Sequence, residues 1–319
     1  MTGRQTALYI FRKVFELIAT LLLVSMFTFL AFSVIPGDTA RVMLGANATT
    51  EQVEALRIEL GLDKPLIVRY VTWLGGAFTG HLGNSSQYRT SVSGLIVSRL
   101  PVTLGMSILA FIMIIAISYP LAILSSRRPG KLADQICSVL GHVLFAIPPF
   151  VLSLLLILIF GSILKNFTIG NYVAPNVNFG IYLQSLLLPA FAIALPKIAM
   201  TFKFLRSSII EQKASDYVAT AKSHGLSDIK IMFRHILPNS NVSSITIISL
   251  VLSDILGGSL IVEQVFNLPG LGRLLLSAIS QRDFPLLSGI VFYLALVTVL
   301  LYFAADIFSS LSDPRIRLS

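Results

Sequence analysis

Six apolar stretches punctuate the chain, at about residues 14–35, 102–124, 139–163, 185–205, 245–262 and 286–308. Each is close to the roughly 20 mainly apolar residues with which one helix crosses a bilayer. The pattern therefore predicts an all-α, polytopic membrane protein with six transmembrane helices and both ends on one side. Two intervening stretches are longer and more polar than the rest, residues 36–100 and residues 207–240.

Both carry local helix signals. In "ATTEQVEALRIELGLDKPLIVRYVTWLGG", Thr49 and Gln52 have capping-box spacing, Val53, Leu56 and Leu60 share one helical face, and Gly61 suits a C-terminal cap. A second helix is expected from Pro65, so residues 36–100 read as a small extracellular helical cap on the outer ends of the spans.

The other stretch contains "DYVATAKSHGLSDIKIMFRHILPNS", residues 216–240. Ala214, Ala219 and Ala221 make its first helix small-sided, open to close approach by another surface. Gly225 supplies the positive-φ position that ends that helix, and Ser227 with Asp228 starts the next one. Ile229, Met232, Phe233, Ile236 and Leu237 then fall at i, i+3, i+4, i+7 and i+8, one apolar stripe. Lys230, Arg234 and His235 lie on the other face, and Pro238 is expected to end the helix before the next span. Such a pair can lie on lipid headgroups or dock a soluble partner, and its residues alone leave both open.

Proline and glycine interrupt several spans, at Pro120, Pro148, Pro149, Pro189, Pro196, Gly257 and Gly258. Ordinary kinks and helices that bend around a pathway are both consistent with this, because neighbouring helices or a water-filled cavity can satisfy the freed backbone groups.

Composition agrees with the pattern. The 319 residues are 55% hydrophobic and 12% charged, against about 25% charged in ordinary soluble domains; the mean hydropathy is +0.84. The net charge of +9 comes from Lys and Arg scattered in small groups, with no basic face interleaved with aromatics, so nucleic acid is not an expected partner. Counted over termini and short loops, one side holds fourteen Lys and Arg and the other three, Lys165, Arg273 and Arg282. The positive-inside rule then makes both termini and the 207–240 stretch cytoplasmic. The apolar core of the first span, Leu17 to Ile35, exceeds a leader's usual 7 to 15 residues and has no A-x-A site before Pro36, so an anchor is expected. Cys137 is the single cysteine, which excludes an internal disulfide and a cysteine-based zinc cluster; it reads as a packing residue.

No engine is visible in the sequence. In "GGAFTGHL", Gly75 and Gly80 have phosphate-loop spacing, but His81 and Leu82 stand where Lys and Ser or Thr are needed. "PGLGR" at 269–273 lacks a preceding strand and a third glycine. His81, His142, His224 and His235 are far apart in the topology, without HExxH or G-x-S-x-G; His142 reads as a packed side chain, and no metal site is expected. Ionisable groups inside spans are costly and are functional candidates. Asp254 lies mid-span, Glu263 at the outer end of the same stretch, and Lys197 after Pro196. Asp254 and Lys197 read as pathway groups, as a structural pair with each other, or as a contact with a second membrane subunit. Asp306 and Asp313 read as capping or interfacial groups.

"ATAKSHG" followed by Leu237 and Pro238 resembles the EAA motif, EAA-x3-G-x9-I-x-LP, of the membrane subunits of binding-protein-dependent ABC importers. Ala221, Gly225, Leu237 and Pro238 match in register, whereas Ala219 replaces the Glu and His235 the Ile. "LGLDKPLIVRYVTWL", "SRLPVTL", "VEQVFNLPGLGRLLLSAISQRDFP" and "DPRIRL" are similar to the peptide and nickel branch, in particular its B-type permease, over roughly Tyr9 to Leu318. His81 and Thr39 depart from the usual Asp and Pro of that branch.

The resemblance implies a single permease domain over residues 1–319 with the type I ABC importer fold, in a prokaryotic plasma membrane. It implies a second homologous permease, two ABC ATPase subunits that carry ATP and Mg, and an extracellular substrate-binding protein. This chain would bind no cofactor and catalyse nothing. The 216–240 stretch becomes the coupling region, carried by Tyr217, Ala219, Ala221, Gly225, Leu226, Phe233, Leu237 and Pro238, and Glu263, Asp254 and Phe266 become pathway or gate residues. Oligopeptides or dipeptides are the implied cargo, with nickel, metallophore or another small solute as the alternative. A secondary carrier working alone is disfavoured by the missing inverted repeat, and a membrane enzyme by the missing catalytic set.

Overall fold

A computed structural model describes residues 3–34, 39–45, 48–59, 61–165, 167 and 170–312. Leu60, Asp313, the terminal "DPRIRL" and part of the "PGDT" stretch lie outside the described residues. Helices dominate what is described, and there is no strand among these residues beyond an isolated antiparallel bridge between Asn84 and Ser91. Among the described residues, five helices are long and apolar enough to cross a membrane, and a bent pair makes a sixth span if its halves count together. The helices outrun the apolar stretches that predicted them, and the chain divides into two compact units, residues 1–103 with 269–300, and residues 104–268 with 301–319.

In the first unit, α1 (Gly3–Val34) is followed by three short helices, α2 (Thr39–Leu44), α3 (Thr50–Glu59) and α4 (Leu66–Phe78). The capping box opens α3 as expected: Gln52 N–H donates to Thr49 Oγ1 at 3.3 Å, and Thr49 N–H donates to Gln52 Oε1 at 3.1 Å. Val53 is buried, and Gly61 closes the helix at φ +66°. Helix α4 is apolar and lies along α1, where the Tyr70 hydroxyl bonds Ser25 Oγ at 2.8 Å and Phe29 meets the rings of Tyr70 and Trp73.

Helix α5 (Val92–Arg127) begins ten residues before its predicted span and runs through Pro120. Its start packs with α12 (Leu271–Ser280) and the beginning of α13 (Phe284–Ser312) in a core that includes Val92, Ile96, Leu274, Leu286 and Ile290. Gly289 lets that approach happen, since a Cβ there would sit 2.5 Å from Val92. Asp283, fully buried, fastens the loop before α5: Ser85 Oγ donates to it, as do the N–H groups of Ser86 and Gln87 at 3.1 and 3.2 Å and that of Leu286 at 3.2 Å.

The second unit is built around α8 (Phe179–Lys213), against which α6 (Leu132–Ala146), α7 (Pro149–Leu156, continued as π-helix over Ile157–Ile163) and α11 (Leu237–Val265) pack. Pro189 and Pro196 lie inside α8 without ending it, and Gly257 and Gly258 lie inside α11. The stretch predicted as one span at 139–163 is broken instead: α6 and α7 meet at 102°. Pro148 and Pro149 side by side remove two consecutive N–H donors and force the preceding residue out of the helical region. The expectation for His142 fails too, because α6 turns Asp134, Cys137, Ser138, Gly141 and Leu144 inward and leaves His142 exposed.

Candidate functional site: the 216–237 surface and the charged midpoint of α11

Residues 214–237 form α9 (Asp216–Ser223), the Gly225 turn, and α10 (Asp228–Ile231) continued by a π-helical turn over Met232–Ile236 into α11. Gly225 takes φ +74°, with its N–H on Lys222 O at 2.9 Å and Leu226 N–H on Ala221 O at 3.2 Å. This is the hydrogen-bond pattern that closes a helix through a left-handed residue. The side chain of Ser227 caps the second helix by accepting from Lys230 N–H at 3.4 Å.

Pro238 does not end that helix. It sits in the first turn of α11, and the backbone passes continuously from α10 into α11. Because Pro238 has no N–H to give the carbonyl four residues back, the register widens just before it, with Leu237 N–H donating to Met232 O, five residues away.

The widened turn also divides the expected apolar stripe. Ile231, Met232 and Ile236 are buried with Val218 and Ala221 against Ala122, Phe202, Leu205 and Ile209, and Tyr217, Leu226 and Leu237 pack on the same cluster. Ile229 and Phe233, 64% and 56% exposed, point the other way, among Ala219, Lys230 and Arg234, which are also exposed. The surface offers two apolar side chains one helical turn apart, flanked by Lys230 and Arg234 and by the exposed Lys222–Asp228 ion pair.

Its support rests on a buried carboxylate that sequence reasoning missed. Asp134 receives the Arg206 guanidinium through Nε at 2.5 Å and Nη2 at 2.6 Å, the Ser125 hydroxyl, and Gly130 N–H at 2.7 Å. Close by in sequence, Lys213 Nζ donates to Ser126 O at 2.6 Å. These bonds tie the last turns of α8, which lead into α9, to the turn between α5 and α6. One signal was available: Asp134 is the lone acid in a basic loop.

The pathway candidates separate along α11. Lys197 and Asp254 form an ion pair, Nζ to Oδ2 at 2.5 Å, near the middle of α8 and α11, with Asp254 48% and Lys197 18% exposed. Glu263 is fully buried at the far end of α11. Phe266, also buried, caps that helix and lines a cavity of about 20 Å³, room for one water, with Gly170, Asn171, Gln184 and Ser185. Glu263 and Phe266 thus share one end of the helix, whereas Asp254 stands apart. A charged side chain at mid-bilayer depth facing lipid costs about 2.5–3.5 kcal/mol on insertion scales.

Residues 118–318 match the family described as binding-protein-dependent transport system inner membrane component, and residues 7–107 match its N-terminal counterpart. The chain belongs to this family. The permease is 36% identical over 309 residues to a Brucella abortus (strain 2308) protein provisionally named a peptide transport system permease, covering 97% of this chain and 98% of the relative. It is 33% identical over 314 residues to the oligopeptide transport system permease protein AppB of Bacillus subtilis (strain 168), covering 98% and 99%. In fold it is similar to the inward-facing MetNI methionine ABC transporter, with a TM-score of 0.56 at 18% identity over 69% of this chain and 96% of that one. The all-α, multi-pass permease architecture read from the sequence is therefore the one observed.

Proposed function

We propose that the permease is one membrane subunit of an ATP-driven importer of oligopeptides or dipeptides, which an external binding protein delivers. Its similarity, over 97% or more of the chain, to permeases named for peptide transport in Brucella abortus and Bacillus subtilis carries this reading. The partners are a second permease, two ATPases that bind ATP and Mg, and the binding protein; both termini and the 216–237 surface face the cytoplasm. The chain itself hydrolyses nothing. Ile229, Phe233 and Ala219 meet an ATPase groove, while Tyr217, Ala221, Leu226 and Leu237 hold that surface in shape. ATP binding draws the ATPases together and moves this surface, and α8 and α11 carry the motion to the pathway end at Glu263 and Phe266. Exposed apolar side chains beside basic ones also suit a headgroup layer; the EAA-like register of Ala221, Gly225, Leu237 and Pro238 favours the ATPase.

Reconstituting the permease with its native partners in lipid tests this reading. Binding protein loaded with peptide is expected to stimulate ATP hydrolysis and peptide uptake. Stimulation by nickel or a metallophore alone would replace the substrate, and transport without any ATPase would replace the mechanism.

Gly225→Val is expected to uncouple the complex. A left-handed backbone costs an L-residue about 1–2 kcal/mol, while no atom lies within 4 Å of the new Cβ, so the damage stays in the turn. Uptake per ATP should fall about tenfold with membrane insertion unchanged; uptake at the normal rate would remove the turn from the coupling mechanism.

A further inference from the structure

From residue 247 to its end, the exposed positions of α11 fall into one line, Leu250, Asp254, Gly257, Ile261 and Gln264, at i, i+4, i+7, i+11 and i+14. Its opposite side is buried through Val251, Ile255, Leu256, Ser259 and Val262. The contrast with α7 is chemical. The large exposed side chains of α7 and its π-helical continuation are apolar, among them Phe150, Leu154, Leu155, Leu158 and Ile159, which suits lipid. The α11 line holds a half-exposed carboxylate at mid-helix, a glycine with no atom within 4 Å of its missing Cβ, and an amide near its end. A glycine that no neighbour in this chain requires leaves room for something outside the chain. Lys197 meets one side of the Asp254 carboxylate, and the side left exposed needs water or further polar groups around it.

We infer that this line of α11 faces a water-filled passage and that the Lys197–Asp254 pair at its midpoint is a binding site for zwitterionic peptides. The inference rests on the peptide-importer reading and goes beyond it to the atoms that hold the cargo. The peptide's ammonium goes to the Asp254 carboxylate and its carboxylate to the Lys197 ammonium, so one ion pair is exchanged for two. Charge balance makes the site selective. A ligand with a single charge can open the pair only by leaving Lys197 or Asp254 uncompensated in a partly buried setting, which is costly. A ligand carrying both signs leaves neither alone. When the peptide departs, the pair re-forms and the site returns to net neutrality, which favours release over retention.

Thiol labelling of the assembled complex in nanodiscs tests this. In a Cys137→Ser background, Gly257→Cys places a reporter on the line, one turn from the intact pair, and Leu158→Cys places one on α7. A charged methanethiosulfonate, which reacts with the hydrated thiolate, should label position 257 about tenfold faster than position 158. Dialanine and tetra-alanine at millimolar concentration should slow labelling at 257 about threefold, N-acetyl-alanine amide should not, and adding Asp254→Asn should abolish the slowing. Equal labelling at 257 and 158, no slowing by the free peptides, equal slowing by the blocked one, or slowing that survives Asp254→Asn would each overturn the inference. ATP-driven peptide uptake by the cysteine-free parent, measured alongside, separates the two readings. Uptake together with any of those results removes the site and leaves the importer, whereas a parent that takes up no peptide removes both.

Discussion

Replacing Phe233 by aspartate is expected to lower ATP-driven uptake by the reconstituted complex about a hundredfold, equivalent to about 2.7 kcal/mol of docking energy, while the permease still inserts and unfolds as before. Phe233 is 56% exposed, so its side chain adds little to the packing of its own chain. Beside Ile229 it is an apolar protrusion with a charged rim, the composition of an anchor that fills a partner's pocket. Aspartate there would meet an apolar pocket with an unpaired charge and would cut the affinity for the ATPase. Met232→Asp, one residue earlier, should behave differently. Met232 is buried in the cluster under α9, so that variant should fail to fold in this region before docking becomes an issue. If Phe233→Asp transported normally, the exposed half of the stripe would not be the docking surface.

Arg206→Ala has the second largest expected effect, and it acts on stability. It would leave Asp134, 4% exposed, with only the Ser125 hydroxyl and Gly130 N–H as compensation. Removing one partner of a buried ion pair costs about 3–5 kcal/mol, because the other charge stays buried and unpaired. The thermal unfolding temperature of the purified permease should drop markedly, and the end of α8 should become open to protease. Neutralising both groups, Asp134→Leu with Arg206→Leu, should recover most of the loss, since an apolar pair of similar volume is often as stable as the ionic one. A double variant as unstable as the single one would mean that the carboxylate's hydrogen bonds to the 125–130 turn matter more than its charge.

What could be read from the sequence was local. The capping box at Thr49 and Gln52, the left-handed turns at Gly61 and Gly225 and the Ser227 cap each depend on a few neighbouring residues, and all are formed. The apolar spans were legible for the same reason. Two proline readings were not, because a proline acts through the backbone register around it. Pro148 with Pro149 broke a predicted span by 102°, while Pro238 was absorbed by a π-helical turn that redirected the side chains of a predicted stripe. The anchors Asp134 with Arg206 and Asp283 with Ser85 join residues 72 and 198 positions apart, and no spacing rule reaches that far. Lys197 and Asp254 are 57 positions apart, also beyond any spacing rule, yet they could be paired on paper because ionisable groups inside spans are few and costly.

If the 216–237 surface meets a cytoplasmic ATPase, photo-cross-linking from that surface will capture the ATPase. A benzophenone attached at Phe233→Cys, in a Cys137→Ser background, is illuminated in the native membrane and the adduct is identified by mass spectrometry. A cross-link to the ATPase subunit is expected, with the partner peptides drawn from one groove. Adducts to lipid alone, in membranes that contain the assembled complex, would contradict it.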